Sequence, residues 1–351
     1  MTRRMIHGLV CTSMLALALA TTQQAWALGE GYGAGATGGS TSFHVTNLND
    51  SGTGSLRDAL STSGRHIVFD VSGTIQIASV LVIPNNTTLD GTGASITIHG
   101  YYVSISNRRN IIIQNIRFRE DSTAPSDKCS LQGSACSDIM VDHCSIEWGT
   151  YDCCEFTTGS TNITIEYCII GPGIASQYSG CLIDSGDRIS IHHNLWIDNK
   201  TRNPKLKGNC QYIDNVVYNW CDTGGLVGGH SSANWKSDII NNYFIKGPTS
   251  ATDSWITDCT ATDQWYVSGN YKDMNKDGVL NGTAIAASEF TSAGVTVLST
   301  PQHTPVITTH SASGAVSIAT QGKMGCQPLD SYDQTLVNYL KSYGTQGKKG
   351  E

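Results

Sequence analysis

Between His192 and Lys207 the chain reads His-His-Asn-Leu-Trp-Ile-Asp-Asn-Lys-Thr-Arg-Asn-Pro-Lys-Leu-Lys, and Lys200, Arg202, Lys205 and Lys207 fall within eight residues. The protein as a whole is acidic, with 22 Lys and Arg against 29 Asp and Glu. Fixed guanidinium and ammonium groups at the end of a strand make a receiver for an anionic ligand. The simpler reading is a solvated basic turn. Ile189, Ile191, His193, Leu195 and Ile197 alternate, and this period of two predicts a strand running into the turn.

That strand is one of a series. Asn110–Ile116, Asp138–Cys144, Asn162–Cys168, Arg188–Asn194, Gln211–Val216, Asp238–Tyr243 and Tyr266–Tyr271 are similar β-branched runs. One polar position steps through Asn115, His143, Tyr167, His193, Asn215, Asn242 and Asn270 at intervals in the twenties. Such a period, with a short strand pair in each unit, predicts an all-β fold of the β-solenoid type. Asn recurring at one place predicts a ladder of side-chain amides that satisfies turn backbone. A β-sandwich would not hold Asn at one phase over so many repeats. His143 and His193 occupy that same position and read as ladder residues rather than catalysts. Solenoid ends need caps. Ser55 is the expected N-cap of an early helix, and Ser331 to Tyr343 reads as a late one with Leu336, Val337 and Leu340 on one face. The stretch between Gly278 and Gly325, rich in Thr, Ser and Ala, reads as loops and strands folded back on the solenoid.

Residues 1–27 read as an export signal: Arg3 and Arg4, an apolar run from Leu9 to Ala20, and Ala25-Trp26-Ala27 for cleavage. The apolar run is too short to span a membrane, and no other segment approaches the needed length. A secreted, soluble monomer is expected, with a single domain over residues 28–351: an N-terminal cap at 28–66, coils at 67–272, and C-terminal loops and helix at 273–351. Net negative charge argues against nucleic acid as a partner. Eleven of the twelve cysteines lie beyond the signal. In an oxidising compartment most should pair, with Cys144 and Cys168 stacked on adjacent coils and Cys129 and Cys136 bracketing a short loop. Asp273–Gly278 opens like a calcium loop, but its twelfth position is Ala284, so it reads as a turn.

Several segments, in order along the chain, resemble the pectate lyase family (polysaccharide lyase family 1). These are Glu30–Ala34, Val45–Arg57, Ile67–Ile75, Val141-Asp142-His143-Cys144-Ser145, Arg202-Asn203-Pro204, Asn215–Trp220 and Asp330–Asp333. The resemblance implies a right-handed parallel β-helix with short capping helices. It also implies cleavage of polygalacturonate, an acidic polysaccharide, by β-elimination, with Ca²⁺ and an arginine base. That base maps to Arg202, and Lys200, Lys205 and Lys207 are the candidate substrate contacts, each otherwise a solvated charge. The family's second arginine falls on Lys207. Its paired aspartates map to Asp127 and Cys129, its next acidic ligand to Asp152 with Glu155 nearby, and a lysine expected near residues 177–179 is absent. Asp127, Asp152 and Glu155 are thus the implied metal ligands. A weakly catalytic polysaccharide-binding β-helix and a lyase for another uronate polymer are the alternatives. No paired acidic motif suits a glycoside hydrolase.

Overall fold

The computed structural model describes residues 29–349 apart from Ala175, Ser176 and Thr223, so the export signal lies outside the described residues. The chain winds into a parallel β-solenoid with one sheet of 17 strands and one of 10. The architecture is the expected β-helix. Successive coils pair in parallel register, and the register stacks like on like. Ile111, Ile139, Ile163 and Ile189 lie opposite one another, as do Ile113, Val141, Ile165 and Ile191. All eight are fully buried. Each stacked aliphatic contributes about 1.5–3 kcal/mol by leaving water.

The period-two pattern breaks where each strand of the large sheet turns into the small one. The strand expected from Ile189 to Ile197 ends at His192 and resumes as Leu195–Ile197, because His193 sits at φ 56°. Asn115, His143, Tyr167, Asp214, Asn241 and Gly269 have the same left-handed backbone at the equivalent corner. The polar ladder therefore has two rails. The first is the corner itself, where His143, Tyr167 and His193 stack ring on ring at 5.0 and 4.7 Å. The second, one residue on, holds Cys144, Cys168, Asn194, Asn215, Asn242 and Asn270. The expected single ladder had mixed the two, since Asn115 belongs to the first rail and Asn215 to the second. Asn215 Oδ1 accepts from Asn194 N, Asn242 Oδ1 from Asn215 N, and Asn270 Oδ1 from Asn242 N, at 2.9–3.1 Å.

Ser55 caps the short helix α1 (Leu56–Ala59) as expected, its hydroxyl accepting from Asp58 N at 3.2 Å. The stretch 278–325 holds the expected strands, Thr283–Ala284 on the small sheet and Thr296–Leu298 on the large one, and two helices that were not expected, α2 (Ala287–Ser292) and α3 (Ala312–Thr320). Short polar residues hid these helices: α2 buries Phe290 alone, and α3 buries the small face Ala312, Ala315, Val316 and Ala319. The last helix, α4 (Ser331–Lys341), is capped by Asp330 and buries the three predicted residues. Asp273 ends the strand Tyr271–Asp273, and residues 274–278 form the loop that follows it.

The disulfide expectation is corrected. All eleven cysteines of the described residues are free, ten of them buried. Cys144 and Cys168 do stack on adjacent coils, but Cys144 N donates to Cys168 Sγ at 3.4 Å and no bond joins them. Cys136 meets Ser160 rather than Cys129. Inside the coils these thiols act as small apolar side chains.

Candidate active site

The turn that follows strand Leu195–Ile197 carries the cations. Arg202 adopts φ 58°, and the Asn203–Pro204 peptide after it is cis. Asn199 Nδ2 donates to Asn203 Oδ1 at 2.9 Å, and the Tyr212 hydroxyl donates to Asn203 O at 2.9 Å, so the turn is fixed from inside. Strand Lys205–Ile213 then starts, with Lys205 and Lys207 two apart and hence on one face of the large sheet.

Arg202 does not fit the simpler reading of a solvated basic turn. Its side chain is only 18% exposed, and Nη1 donates to both oxygens of Asp152 at 3.0 and 2.7 Å. The guanidinium also lies 5.2 Å from the Tyr151 ring centroid. Burial opposes its charge, yet Asp152 and Tyr151 together hold its pKa above the ordinary arginine value. Asp152 is itself fully buried. Burial pushes its carboxyl up to about 6, Arg202 pulls it back, and the Glu155 charge pushes it further up. Glu155 is raised by burial as well, against hydrogen bonding from Gln132 and the charge of Lys128.

The other three cations are each matched by an acid. Lys207 Nζ lies 3.0 Å from Asp184, Lys200 lies 3.8 Å from Asp222, and Lys205 lies 3.9 Å from Asp258. Asp184 lies on the preceding coil, Asp222 and Asp258 on later ones, and sheet register stacks Lys205 and Lys207 on the coils before them. Glu155 is opposite Leu182, Leu182 opposite Lys205, and Asp184 opposite Lys207. The outer face thus runs from carboxylates to ammonium groups across three coils.

Of the three implied metal ligands, two converge and one does not. Asp152 and Glu155 place a carboxylate oxygen within 4.8 Å of each other and of Cys129 Sγ. Asp127 has a 74% exposed side chain paired with Lys128 at 3.0 Å, and is not in the cluster. Calcium takes six to eight oxygens. The mutual repulsion of Asp152 and Glu155 fits a hard cation between them. Cys129 does not fit, because burial raises its pKa well above the usual thiol value and keeps it a neutral thiol. Sequence reasoning missed Tyr151 and the acids facing the lysines. Only strand register brings those acids, 22 to 53 positions away in the chain, to the basic turn.

Fold and site define a parallel β-helix whose side wall presents an acid pair beside a row of cations. Comparison with known proteins agrees. The chain is 38% identical over 328 residues to "Probable pectate lyase C" of Aspergillus terreus, covering 91% of this chain and 77% of that one. It is 38% identical over 324 residues to the Aspergillus fumigatus protein of the same name, with the same coverage. No protein-family model matches. Among solved structures, the thermostable pectate lyase PL 47 superposes with a TM-score of 0.64 at 17% identity, covering 86% of this chain and 97% of that one. A Bacillus sp. N165 pectate lyase in complex with trigalacturonate superposes at 0.55 and 18% identity, covering 84% and 98%. The chain belongs to the pectate lyase family.

Proposed function

We propose that the protein is an exported monomeric pectate lyase that cleaves polygalacturonate by β-elimination, with Arg202 as the base. The observation that carries this reading is the junction of Arg202 with the Asp152–Glu155 pair, beside Lys205 and Lys207. Lys205 and Lys207 exchange their acidic partners for the uronate carboxylates of the substrate. Ca²⁺ held by Asp152, Glu155 and a substrate carboxylate would draw charge from that carboxylate and acidify the C5 proton. Arg202 in its neutral form takes the proton from C5. The electron pair forms the C4–C5 double bond, and the glycosidic oxygen leaves from C4 and is protonated by water.

An arginine base must be neutral, and Asp152 opposes that. Arg202 therefore acts only when another cation occupies Asp152 and when the pH is alkaline. Polygalacturonate with Ca²⁺ at alkaline pH is expected to give products absorbing in the ultraviolet. Reducing ends without that absorbance would mean hydrolysis. The pre-formed Arg202–Asp152 ion pair favours one second reading, a polysaccharide-binding β-helix with little turnover. Retention on a pectin matrix without product, unaffected by chelation, would establish it instead.

A further inference from the structure

A second group of ligand-type side chains lies at the His193 corner, on another edge of the coils from the basic turn. His193 Nε2 is 3.0 Å from His310 Nδ1 and 3.3 Å from Asp214 Oδ2, and His310 Nδ1 is 3.4 Å from that same oxygen. The triangle joins two successive coils to the C-terminal strap. A tetrahedral ion about 2.0–2.1 Å from each ligand separates its ligands by about 3.3 Å. These atoms are already at that spacing.

Asp214 Oδ2 also accepts the His310 backbone N–H. His192 Nε2 lies 3.1 Å from Glu166 without a hydrogen bond to it. His192 Nδ1 and His193 Nδ1 are 3.0 Å apart, so one donates to the other. In the tautomer where His193 Nδ1 is that donor, its Nε2 is a lone pair facing Asp214 and His310. Asp214 Oδ1 is buried and has no partner among the described residues. A lone pair on one ring nitrogen, with the other donating to a fixed second partner, is how metal-bound histidines are oriented. Stacking on Tyr167 at 4.7 Å also fixes the ring plane. We propose that His193, Asp214 and His310 form a site for a divalent first-row transition ion such as Zn²⁺, its fourth position open to solvent beside His310.

Two imidazoles and one carboxylate suit such an ion rather than calcium. The ion would fasten the strap that crosses the large sheet. That strap is also held by Gln302 N and His303 N donating to Asp238 at 2.8 and 3.0 Å, by Gln211 Nε2 donating to Pro305 O at 3.0 Å, by Thr308 N donating to Glu30 at 2.6 Å, and by His310 N donating to Asp214. The site does not depend on the proposed activity.

The test uses the mature protein stripped of metal with a chelator and titrated with Zn²⁺ by calorimetry. Co²⁺ serves as an optical probe of nitrogen and oxygen ligation. One equivalent per chain, a raised thermal midpoint and a tetrahedral Co²⁺ spectrum are expected. His310 is 41% exposed at its side chain, so His310→Ala should fold normally. It is expected to weaken Zn²⁺ binding by roughly 100-fold or more, beyond what loss of an outer-shell partner costs. Cys129→Ser, in the acid cluster, should leave it unchanged. Absence of saturable binding, binding that survives His310→Ala, or loss of binding in Cys129→Ser would each overturn the proposal.

Discussion

Arg202 reaches Asp152 through one guanidinium nitrogen, and that contact decides what its replacement does. Arg202→Lys keeps a charge for Asp152 but cannot reproduce the planar nitrogen. Turnover is expected to fall roughly 10²–10⁴-fold, the range for a lost general base. Arg202→Ala should also destabilise the fold by about 3–5 kcal/mol, because it strands a buried carboxylate. Turnover measured beside the thermal midpoint separates the two effects, and a lysine variant with near-normal turnover would remove Arg202 from the chemistry. The proposed metal ligands give a second contrast. Glu155→Gln is expected to raise the Ca²⁺ concentration needed for half-maximal activity, whereas Asp127→Asn should not, since Asp127 faces solvent and Lys128. Equal effects of the two would place the cation elsewhere.

At the scale of elements, the stacked strands were legible in the sequence because parallel register repeats like residues at a nearly constant interval. The corners were not. A left-handed residue shifts the phase by one, so Asn115 and Asn215 look equivalent although they hold different backbone positions. The prediction that follows compares neighbours. Asn242 Oδ1 accepts from Asn215 N at 2.9 Å, and its Nδ2 donates to Tyr212 O at 2.9 Å and Asn270 Oδ1 at 2.9 Å. Asn242→Ala orphans several buried groups and should cost roughly 3–5 kcal/mol, at about 1–3 kcal/mol per group. Asn241→Gly, one residue earlier at φ 56°, keeps the left-handed corner. It should stay within about 0.5 kcal/mol, as surface changes do. Denaturant midpoints measure both. Arg202 was legible through Arg-Asn-Pro, while Asp152 was legible as an implied metal ligand and not as the ion-pair partner of Arg202. No local pattern announces that two side chains 50 positions apart share a wall.

Across the whole molecule, the C-terminal chain is bolted to the coils by buried charge. Arg117 Nε meets Asp333 at 2.8 Å, and Arg119 meets Glu147 and Asp330 at 2.6 Å each. Other buried acids lack such partners, and this sets how stability depends on pH. Burial raises Glu120 to about 7 although Thr150 donates to it, and its second oxygen has no hydrogen-bond partner among the described residues. Burial likewise raises Asp198 to about 7 against hydrogen bonds from Asn219 and Lys348. A carboxyl whose folded pKa lies above its unfolded value binds its proton more tightly when folded. Its stabilising effect is full below about pH 4 and is lost as pH rises through about 7. The fold should therefore weaken from pH 5 to pH 8, before any alkaline reaction begins. Glu120→Gln keeps an acceptor for Thr150 and removes one titration. The Glu120 share is on the order of 3 kcal/mol by pH 8. Thermal midpoints of the protein and of Glu120→Gln, taken with chelator at both pH values, are expected to lie close at pH 5, with the variant higher at pH 8. A wild-type midpoint that rises over this range, or a variant that follows it in parallel, would show that Glu120 is ionised in the fold with a partner it lacks here.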